Sequence, residues 1–306
     1  MGEFHCPMGA AFYDDDGCID CGLCSAKTKE EMVEASKKIR QYLRSHAPSK
    51  SIPAKIAVCG KGGTGKSTIV TLMANVMREE GYRVLVVDTD ESNPGLFRMF
   101  GFSKQPTPLM TLLDSFSSGE AKPETEWLTQ DEIPIQGIPS EYILENDNLK
   151  FVMVGKIDDP FQGCACSMAD VTRDLLAKLL VKDREVVLVD MEAGIESFGR
   201  GVERSVDTVL ITVEPSFESL ALAEKIGYMA EGIGVSRVRA ILNKIPSEGV
   251  GSTIIEELKK KNIRFIGTVY YDLQVSEAGF KGEALGDSEA KQEMKKITRR
   301  LLDESK

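Results

Sequence analysis

The chain has 306 residues, of which 42% are hydrophobic and 28% are charged, and its formal net charge is −10. This length can hold one large α/β domain with a small appendage. The negative charge argues against a broad electrostatic surface for nucleic acid or anionic lipid, and no apolar run approaches the roughly 20 residues that span a bilayer.

The first residues, Met1 to Cys6, carry neither the basic nor the apolar segment of a signal peptide. We therefore expect a cytoplasmic protein that binds no nucleic acid and does not insert stably into a membrane. In that compartment, cysteines favour metal or redox chemistry over disulfides.

The N-terminal 25 residues contain a cysteine spacing that is typical of iron–sulfur proteins. Cys18, Cys21 and Cys24 follow C-x2-C-x2-C, the ferredoxin-type spacing that holds three irons of a cubane, and Cys6 precedes a proline as the candidate fourth ligand. A structural zinc site usually needs two separated C-x2-C pairs. The pattern favours a [4Fe–4S] cluster, with zinc or unliganded thiols as the alternatives.

A change of pattern near residue 53 predicts a domain boundary. Residues 28–45 fit an amphipathic helix, and a linker with two prolines follows it. Residues 1–52 are therefore expected to form a cysteine-rich appendage, and residues 53–306 the main domain.

Strands and helices alternate along the main domain. The predicted strands cover 55–59, 83–89, 149–154, 185–191, 207–213, 237–242 and 264–269. Several are continuous apolar runs, as in strands that are buried on both faces of a parallel sheet. We predict an α/β fold with a mostly parallel, doubly wound sheet flanked by helices. Residues 104–147 are interpreted as a partly irregular insertion with a short helix over Leu109–Phe116.

The first strand of this domain ends in a glycine-rich loop that fits the phosphate-binding motif G-x-x-x-x-G-K-[ST]. The loop and the start of the next helix comprise Gly60, Lys61, Gly62, Gly63, Thr64, Gly65, Lys66, Ser67 and Thr68. In such a loop the backbone N–H groups and the helix N-terminus face the β-phosphate. Lys66 is expected to contact the β- and γ-phosphates, and the Ser67 hydroxyl to ligate Mg²⁺. The strand–loop–helix context favours a nucleotide site over a glycine turn without a ligand.

Lys61 is a second lysine that an ordinary phosphate loop lacks. The run K-G-G-T-G-K-S-T, which begins at Lys61, resembles the deviant Walker A motif of the MinD/ParA/NifH-type ATPases. The resemblance implies a P-loop fold and a homodimer that closes face to face around two ATP molecules. It also implies that Lys61 reaches the partner's nucleotide and acts in trans like an arginine finger.

Acidic residues end two further strands. Asp88 and Asp90 leave a strand on the same face, and by resemblance to the same family they form switch I, with Asp88 near Mg²⁺ and Asp90 orienting the attacking water. A solvated acidic turn is the alternative. Asp190 fits the Walker B carboxylate in the second shell of the metal. The residues that resemble switch II are Glu192, Ala193 and Gly194, of which Gly194 lets the backbone approach the γ-phosphate.

Asn243 and Lys244 close a later strand. In the family that the chain resembles, an asparagine at this place reads the edge of adenine. GTPases carry a similar pair but have an aspartate where this chain has Pro246, so the sequence favours ATP.

Cys164 and Cys166 form a C-x-C pair ahead of a helix that we predict over Val171–Leu180. In an extended backbone both thiols project from one face. Two thiolates do not complete a tetrahedral or square-planar site, whereas a symmetric dimer would supply four. Thiolates suit both Zn²⁺ and Ni²⁺, and two small buried residues are the alternative.

Segments around this pair resemble the CooC family, which are ATPases implicated in nickel insertion into carbon monoxide dehydrogenase. They are Phe151–Gly155, Gly163–Cys166, Asp190–Glu196, Gly199–Gly201, Val213–Pro215 and Leu242–Lys244. The resemblance covers about residues 54–306. It implies an ATP- and Mg²⁺-dependent metallochaperone with Ni²⁺ or Zn²⁺ on the paired cysteines. Its client would be a metalloenzyme, either carbon monoxide dehydrogenase-like or another low-potential enzyme.

Three other functions stay open. The His5-Cys6-Pro7 start resembles iron–sulfur carrier ATPases of the Mrp class, although their second motif is C-x-x-C. A NifH-like reductive activator would pass electrons from the cluster to a low-potential client. A positioning or partition ATPase would use the basic, amphipathic tail over 294–302 to bind membrane. A terminal helix that packs on the sheet also explains that tail.

Overall fold

The computed structural model describes residues 13–14, 17–18, 22, 25–35, 38, 54–91, 93, 95–112, 123–155, 165–235 and 237–304. Cys6, Cys21, Cys24 and Cys164 lie outside the described residues, and for Cys18 and Cys166 the backbone alone is described. The predicted cluster and C-x-C sites therefore stay predictions, as does the boundary between 1–52 and 53–306.

In the N-terminal part, β1 (Tyr13–Asp14) pairs antiparallel with β2 (Gly17–Cys18), and residues 29–35 form helix α1. The start of α1 has a capping box, since Thr28 Oγ1 accepts from the Glu31 N–H and Glu31 Oε2 accepts from the Thr28 N–H. The predicted helix over 28–45 is confirmed for these residues, and most of its second half lies outside the described part.

Eight strands form the main sheet in the described part of the chain. They are β3 (Lys55–Gly60), β4 (Arg83–Asp88), β6 (Ile143–Asn146), β7 (Leu149–Met153), β9 (Glu185–Asp190), β10 (Thr208–Val213), β11 (Arg237–Ile245) and β12 (Phe265–Tyr270). Their order is β12-β11-β10-β3-β9-β4-β7-β6. All neighbours are parallel except β6, which is antiparallel to β7. A separate parallel pair joins β5 (Ile133–Pro134) to β8 (Leu179–Leu180).

Helices connect the parallel strands and cover both faces of the sheet. They are α2 (Lys66–Glu79), α3 (Leu96–Met99), α4 (Ala165–Lys178), α5 (Glu196–Arg200), α6 (Phe217–Gly232), α7 (Glu248–Lys260), α8 (Leu273–Lys281) and α9 (Glu289–Asp303). Side-chain oxygens of Ser216, Ser247, Asp272 and Ser288 cap the N-termini of α6 to α9.

The alternation of side chains along the strands builds two apolar cores. In β3, Ala57 and Cys59 face a core that includes side chains of α4, α6 and α7, whereas Ile56 and Val58 face a core that includes side chains of α2, α3 and α9. Both faces are buried, which explains the continuous apolar runs in the sequence. Each fully buried Val or Leu contributes about 1.5–3 kcal/mol to this packing. The predicted α/β class with a mostly parallel sheet is confirmed.

The strand bounds agree with the prediction within one residue at each end, except that β11 continues to Ile245. The interpretation of 104–147 as a partly irregular insertion omitted the strand β6, which lies on the edge of the main sheet. In the predicted short helix, Leu109–Leu112 is a 3-10 turn. Helix α4 starts before Val171 and ends before Leu180, because Leu179 and Leu180 pair with β5 instead.

The C-terminal helix α9 packs on the domain. Met294, Ile297 and Leu301 are buried, and the helix contacts α2 and β12. The tail thus packs on the sheet, as the second of its two interpretations predicts. Among the described residues, no helix combines the length and the apolarity that a membrane crossing requires.

Two backbone N–H groups fix the amino end of β3. Those of Ala54 and Lys55 donate to Asp207 Oδ2 at 2.9 and 2.8 Å. The carboxyl end of the same strand leads into the glycine-rich loop.

Candidate functional site

The glycine-rich loop has the backbone of a phosphate cradle. Gly63 and Gly65 have φ values of 84° and 86°, which side chains other than glycine rarely adopt. At Gly60 a Cβ atom would lie 2.6 Å from the Thr212 carbonyl oxygen of the neighbouring strand. The loop is closed by Thr64, whose Oγ1 donates to the Lys61 carbonyl oxygen at 2.9 Å.

The glycine-rich loop leads directly into α2, so the N-terminus of this helix lies at the centre of the loop. Gly65 precedes α2 and makes no side-chain cap, and the first turn of the helix contains no acidic residue. The first N–H groups of the helix therefore stay available for an anion. Lys66, the first residue of α2, is only 6% exposed. These features fit the predicted phosphate contact of Lys66.

Three carboxylates converge at the carboxyl ends of β4 and β9. Asp88, Asp90 and Asp190 are buried, and the Asp90 N–H donates to Asp88 Oδ1 at 3.1 Å. The Thr89 N–H and Oγ1 both donate to the Asp190 carbonyl oxygen, at 3.1 and 2.8 Å. The structure thus brings the predicted switch I residues and the predicted Walker B residue together.

The hydroxyl predicted to ligate Mg²⁺ lies beside these carboxylates. Ser67 Oγ donates to Asp190 Oδ2 at 2.6 Å and accepts from Asn93 Nδ2 at 2.8 Å. Among the described residues, the buried Asp190 Oδ1 has no hydrogen-bond partner, so it can accept from a water of the metal's shell. Hydroxyl and carboxylate oxygens are ligands that Mg²⁺ prefers. The residues present therefore fit Mg²⁺. Sequence reasoning gave Asn93 no role, although it lies in the same acidic run.

Asp190 is protonated more readily than an ordinary aspartate. Burial and then the charge of Asp88 raise the pKa of the Asp190 carboxyl to about 7, while the hydrogen bond from Ser67 and the charge of Lys66 oppose the rise. A bound cation would favour the ionised form.

The predicted switch II residues touch the phosphate loop. The Gly194 N–H donates to the Gly60 carbonyl oxygen at 3.2 Å, and Gly194 has a φ of 101°. A Cβ atom at Gly62 would lie 3.6 Å from Ala193 Cβ. Glu192 lines a small cavity between the two switches. The loop that precedes α5 is thus placed where a γ-phosphate would meet it.

The asparagine predicted to read the base is part of the same site. Asn243 Nδ2 donates to the Thr64 carbonyl oxygen at 2.8 Å, and Lys244 Nζ donates to the Gly63 carbonyl oxygen at 2.6 Å. A cleft of about 270 Å³ adjoins both residues and is also lined by Thr68 and Tyr271. Its position beside the loop fits the base of a nucleotide.

Lys61 forms an ion pair with Glu214 that was not predicted from the sequence. Its Nζ lies 3.1 Å from Glu214 Oε1, at the end of β10. No local pattern links the two residues, which are 153 positions apart.

The helix that follows the C-x-C pair packs between the switches. Cys166 belongs to the first turn of α4. Further along, Met168 and Thr172 line the small cavity together with Thr89 and Glu192. Within the described residues, no three His, Cys, Asp or Glu side chains are arranged to hold a metal ion by themselves, so a Mg²⁺ ion at Asp88 and Asp190 would also need the Ser67 hydroxyl and water.

Residues 55–285 match the model of the CobQ/CobB/MinD/ParA nucleotide-binding domain. An uncharacterized ATP-binding protein of Methanocaldococcus jannaschii is 39% identical over 238 residues, which are 76% of this chain and 93% of the relative. The carbon monoxide dehydrogenase accessory protein CooC of Rhodospirillum rubrum is 32% identical over 235 residues, 74% of this chain and 88% of the relative.

An iron–sulfur cluster carrier protein of M. jannaschii is 24% identical over an alignment of 306 positions that covers 92% of this chain and 95% of the relative. Among solved structures, the cell division ATPase MinD of Pyrococcus furiosus superposes with a TM-score of 0.58 at 19% identity, over 81% of this chain and 98% of that one. The chain therefore belongs to the CobQ/CobB/MinD/ParA nucleotide-binding family, and it is a P-loop ATPase of the MinD/ParA type.

Proposed function

We propose that the protein is an ATP-driven metallochaperone that delivers nickel, or another metal that binds thiolates, to a client metalloenzyme. The observation that carries the proposal is the position of α4. This helix begins at the C-x-C pair, and its side chains share a cavity with Thr89 of switch I and Glu192 of switch II. A change in the switches would therefore be transmitted to the base of the metal-binding segment.

The relatives support this proposal. The CooC protein is by its name an accessory protein of carbon monoxide dehydrogenase, and it aligns with 74% of this chain. We accordingly propose a carbon monoxide dehydrogenase-like or other low-potential enzyme as the client. Two copies of the chain would bring two Cys164/Cys166 pairs together as four thiolates, enough for a tetrahedral or square-planar site.

Each residue of the site has a separate role in the binding and hydrolysis of ATP. The N–H groups at the start of α2 bind the phosphates, and Lys66 neutralises the β- and γ-phosphate oxygens. Ser67, Asp88 and Asp190 would hold Mg²⁺, which when bound neutralises developing negative charge. Asp90 orients the attacking water, and Lys61 of a second copy stabilises the transferring phosphoryl group. Asn243 selects adenine.

ATP binding and hydrolysis would control the binding and release of the metal at the C-x-C pairs. ATP would close the homodimer and bring the C-x-C pairs together, and hydrolysis would loosen both switches and release the metal. The N-terminal Cys6, Cys18, Cys21 and Cys24 would hold a [4Fe–4S] cluster that serves as an electron source or a docking surface.

A metal titration tests the proposal. Ni²⁺ is added to anaerobic, cluster-loaded protein with and without ATP, beside a Cys164→Ala/Cys166→Ala variant. We expect one tight Ni²⁺ per dimer that depends on nucleotide and is lost in the variant. Cys59→Ala is the matched control, because the Cys59 thiol is buried in β3. A parallel titration with Zn²⁺ identifies the preferred metal, and the absence of any specific site would contradict the proposal.

An iron–sulfur cluster carrier is the second candidate function. The observation that favours it is the extent of the alignment with the M. jannaschii carrier, which covers 92% of this chain and so extends beyond residues 55–285 into residues 1–52. Transfer of a cluster to an apo-ferredoxin, followed by the acceptor's absorbance, tests it. Transfer that persists in the Cys164→Ala/Cys166→Ala variant would favour the carrier over the nickel chaperone.

A further inference from the structure

The pairing of Lys61 with Glu214 follows from the order of the strands. β10 lies beside β3, and Thr212 is in register with Gly60. Lys61 and Glu214 therefore leave neighbouring parallel strands at the same edge of the sheet, which is the nucleotide edge. The Nζ–Oε1 distance is 3.1 Å, and the two side chains are 37% and 21% exposed.

The backbone around Glu214 is fixed on both sides. The Glu214 N–H donates to Ser219 Oγ at 3.1 Å, and the Ser216 N–H donates to the Glu214 carbonyl oxygen at 2.7 Å. Ser216 is also the N-cap of α6, and Ser219 is buried. The carboxylate is thus presented from a rigid turn, so the ion pair selects one orientation of the longer, more exposed lysine.

Of the three lysines that the described residues place at the loop, Lys61 is the one held by a carboxylate outside it. Lys66 is buried at the N-terminus of α2, and Lys244 donates to a carbonyl oxygen of the loop itself. Lys66 and Lys244 are therefore in place for a nucleotide bound to their own protomer. Lys61 instead points to a neighbouring element and must leave Glu214 to act elsewhere.

We propose that Glu214 is a positioning residue that holds Lys61 on its own protomer until ATP pairs two copies and the lysine moves to the partner's phosphates. This role of Glu214 rests on the proposed trans role of Lys61. The Glu214 carboxylate is the group that opposes the movement of Lys61 to the partner's phosphates. Both side chains keep contact with solvent, and an ion pair that is open to solvent is weak, so this pair can be released in every cycle. Because the dimer must break two such pairs, removing them should tighten ATP-dependent dimerisation by about two- to thirty-fold.

The test measures dimerisation by analytical ultracentrifugation with a slowly hydrolysed ATP analogue. Glu214→Gln keeps the shape of the side chain and removes its charge. Glu218→Gln makes the same change of charge at an exposed position of the next helix and is the matched control. Each substitution is made in the parent and in a Lys61→Ala background, so that a double-mutant cycle isolates the pair.

We expect Glu214→Gln to dimerise more tightly than the parent, with no gain in the Lys61→Ala background and none for Glu218→Gln. In an ATPase assay, half-maximal turnover should then occur at a lower protein concentration, with an unchanged maximum per dimer. An unchanged or weaker dimer, or a gain that persists without Lys61, would overturn the proposal. A parent that forms no ATP-dependent dimer would overturn it together with the trans role of Lys61. Binding of Ni²⁺ is a separate readout, so failure of the metallochaperone function would be distinguishable.

Discussion

The buried carboxylate of Asp190 should make the nucleotide-free protein less stable as the pH rises towards neutrality. Its side chain has no exposed surface, and its Oδ1 has no hydrogen-bond partner in the part of the chain that the structure describes. Burial together with the charge of Asp88 raises the pKa of the carboxyl to about 7. In an unfolded chain the pKa of aspartate is about 3.9. Between these two values the folded protein holds a proton that the unfolded chain has lost.

Because the folded state binds more protons in this range, raising the pH favours unfolding. One proton corresponds to about 1.4 kcal/mol per pH unit, so this group destabilises the protein by about 2 kcal/mol between pH 5 and pH 7. The penalty is absent below about pH 3, where both states are protonated, and constant above about pH 8, where both are ionised. Asp190→Asn removes the titration. The stability of the variant relative to the parent should therefore rise by about 2 kcal/mol over this range.

Urea unfolding at pH 5, 6, 7 and 8 without nucleotide or divalent metal measures this difference. Asp131→Asn removes a carboxylate at an exposed position and controls for the loss of one charge. If the free energies of unfolding of parent and Asp190→Asn differ by the same amount at pH 5 and pH 7, the carboxylate is ionised throughout and the reasoning is refuted.

Three further predictions concern the loop and the cysteines. Lys61→Ala should keep ATP binding but lose most hydrolysis, because the other phosphate contacts remain; unchanged turnover would remove the trans-lysine mechanism. Gly65→Ala should weaken ATP binding about tenfold or more in a calorimetric titration, because its φ is 86° and a Cβ atom there would overlap Asn243 Nδ2. Gly249→Ala, whose added methyl group meets open space, is the control, and equal affinities of the two variants would contradict that explanation. Anaerobically purified protein should absorb broadly near about 400 nm and lose this absorbance in Cys18→Ser, whereas a colourless protein with stoichiometric zinc would exclude the cluster.

The parallel strands and the phosphate loop could be predicted because their signals are local. A strand that is buried on both faces, such as β4, is a continuous apolar run with a sharp end at Asp88. The loop depends on glycines and lysines at fixed spacing within nine consecutive residues, Gly60 to Thr68. Asp88 and Asp190 could be placed together because parallel strands end at the same edge of a sheet.

The features that could not be predicted from the sequence depend on contacts between distant parts of the chain. The strand β6 has only four residues and joins the sheet through β7 alone. Apart from Met168, the first turns of α4 contain small and polar residues, so apolar periodicity starts only near Val171. The contact of Lys61 with Glu214 requires β10 beside β3, and strand order is a property of the folded sheet rather than of any local pattern.

The position of the amino end of β3 sets a distance that the N-terminal cysteines must bridge to reach the phosphate loop. Ala54 and Lys55 are bound to Asp207 at the amino end of β3, and the phosphate loop leaves the other end of this six-residue strand, about 20 Å away. About 30 residues separate Cys24 from Ala54, and because residues 29–35 of this segment are helical, its reach is at most about 90 Å. Such a tether permits the cysteines to approach the nucleotide edge of their own domain or that of a second copy. Its length and stiffness therefore set the effective concentration at which a group carried by these cysteines meets its acceptor.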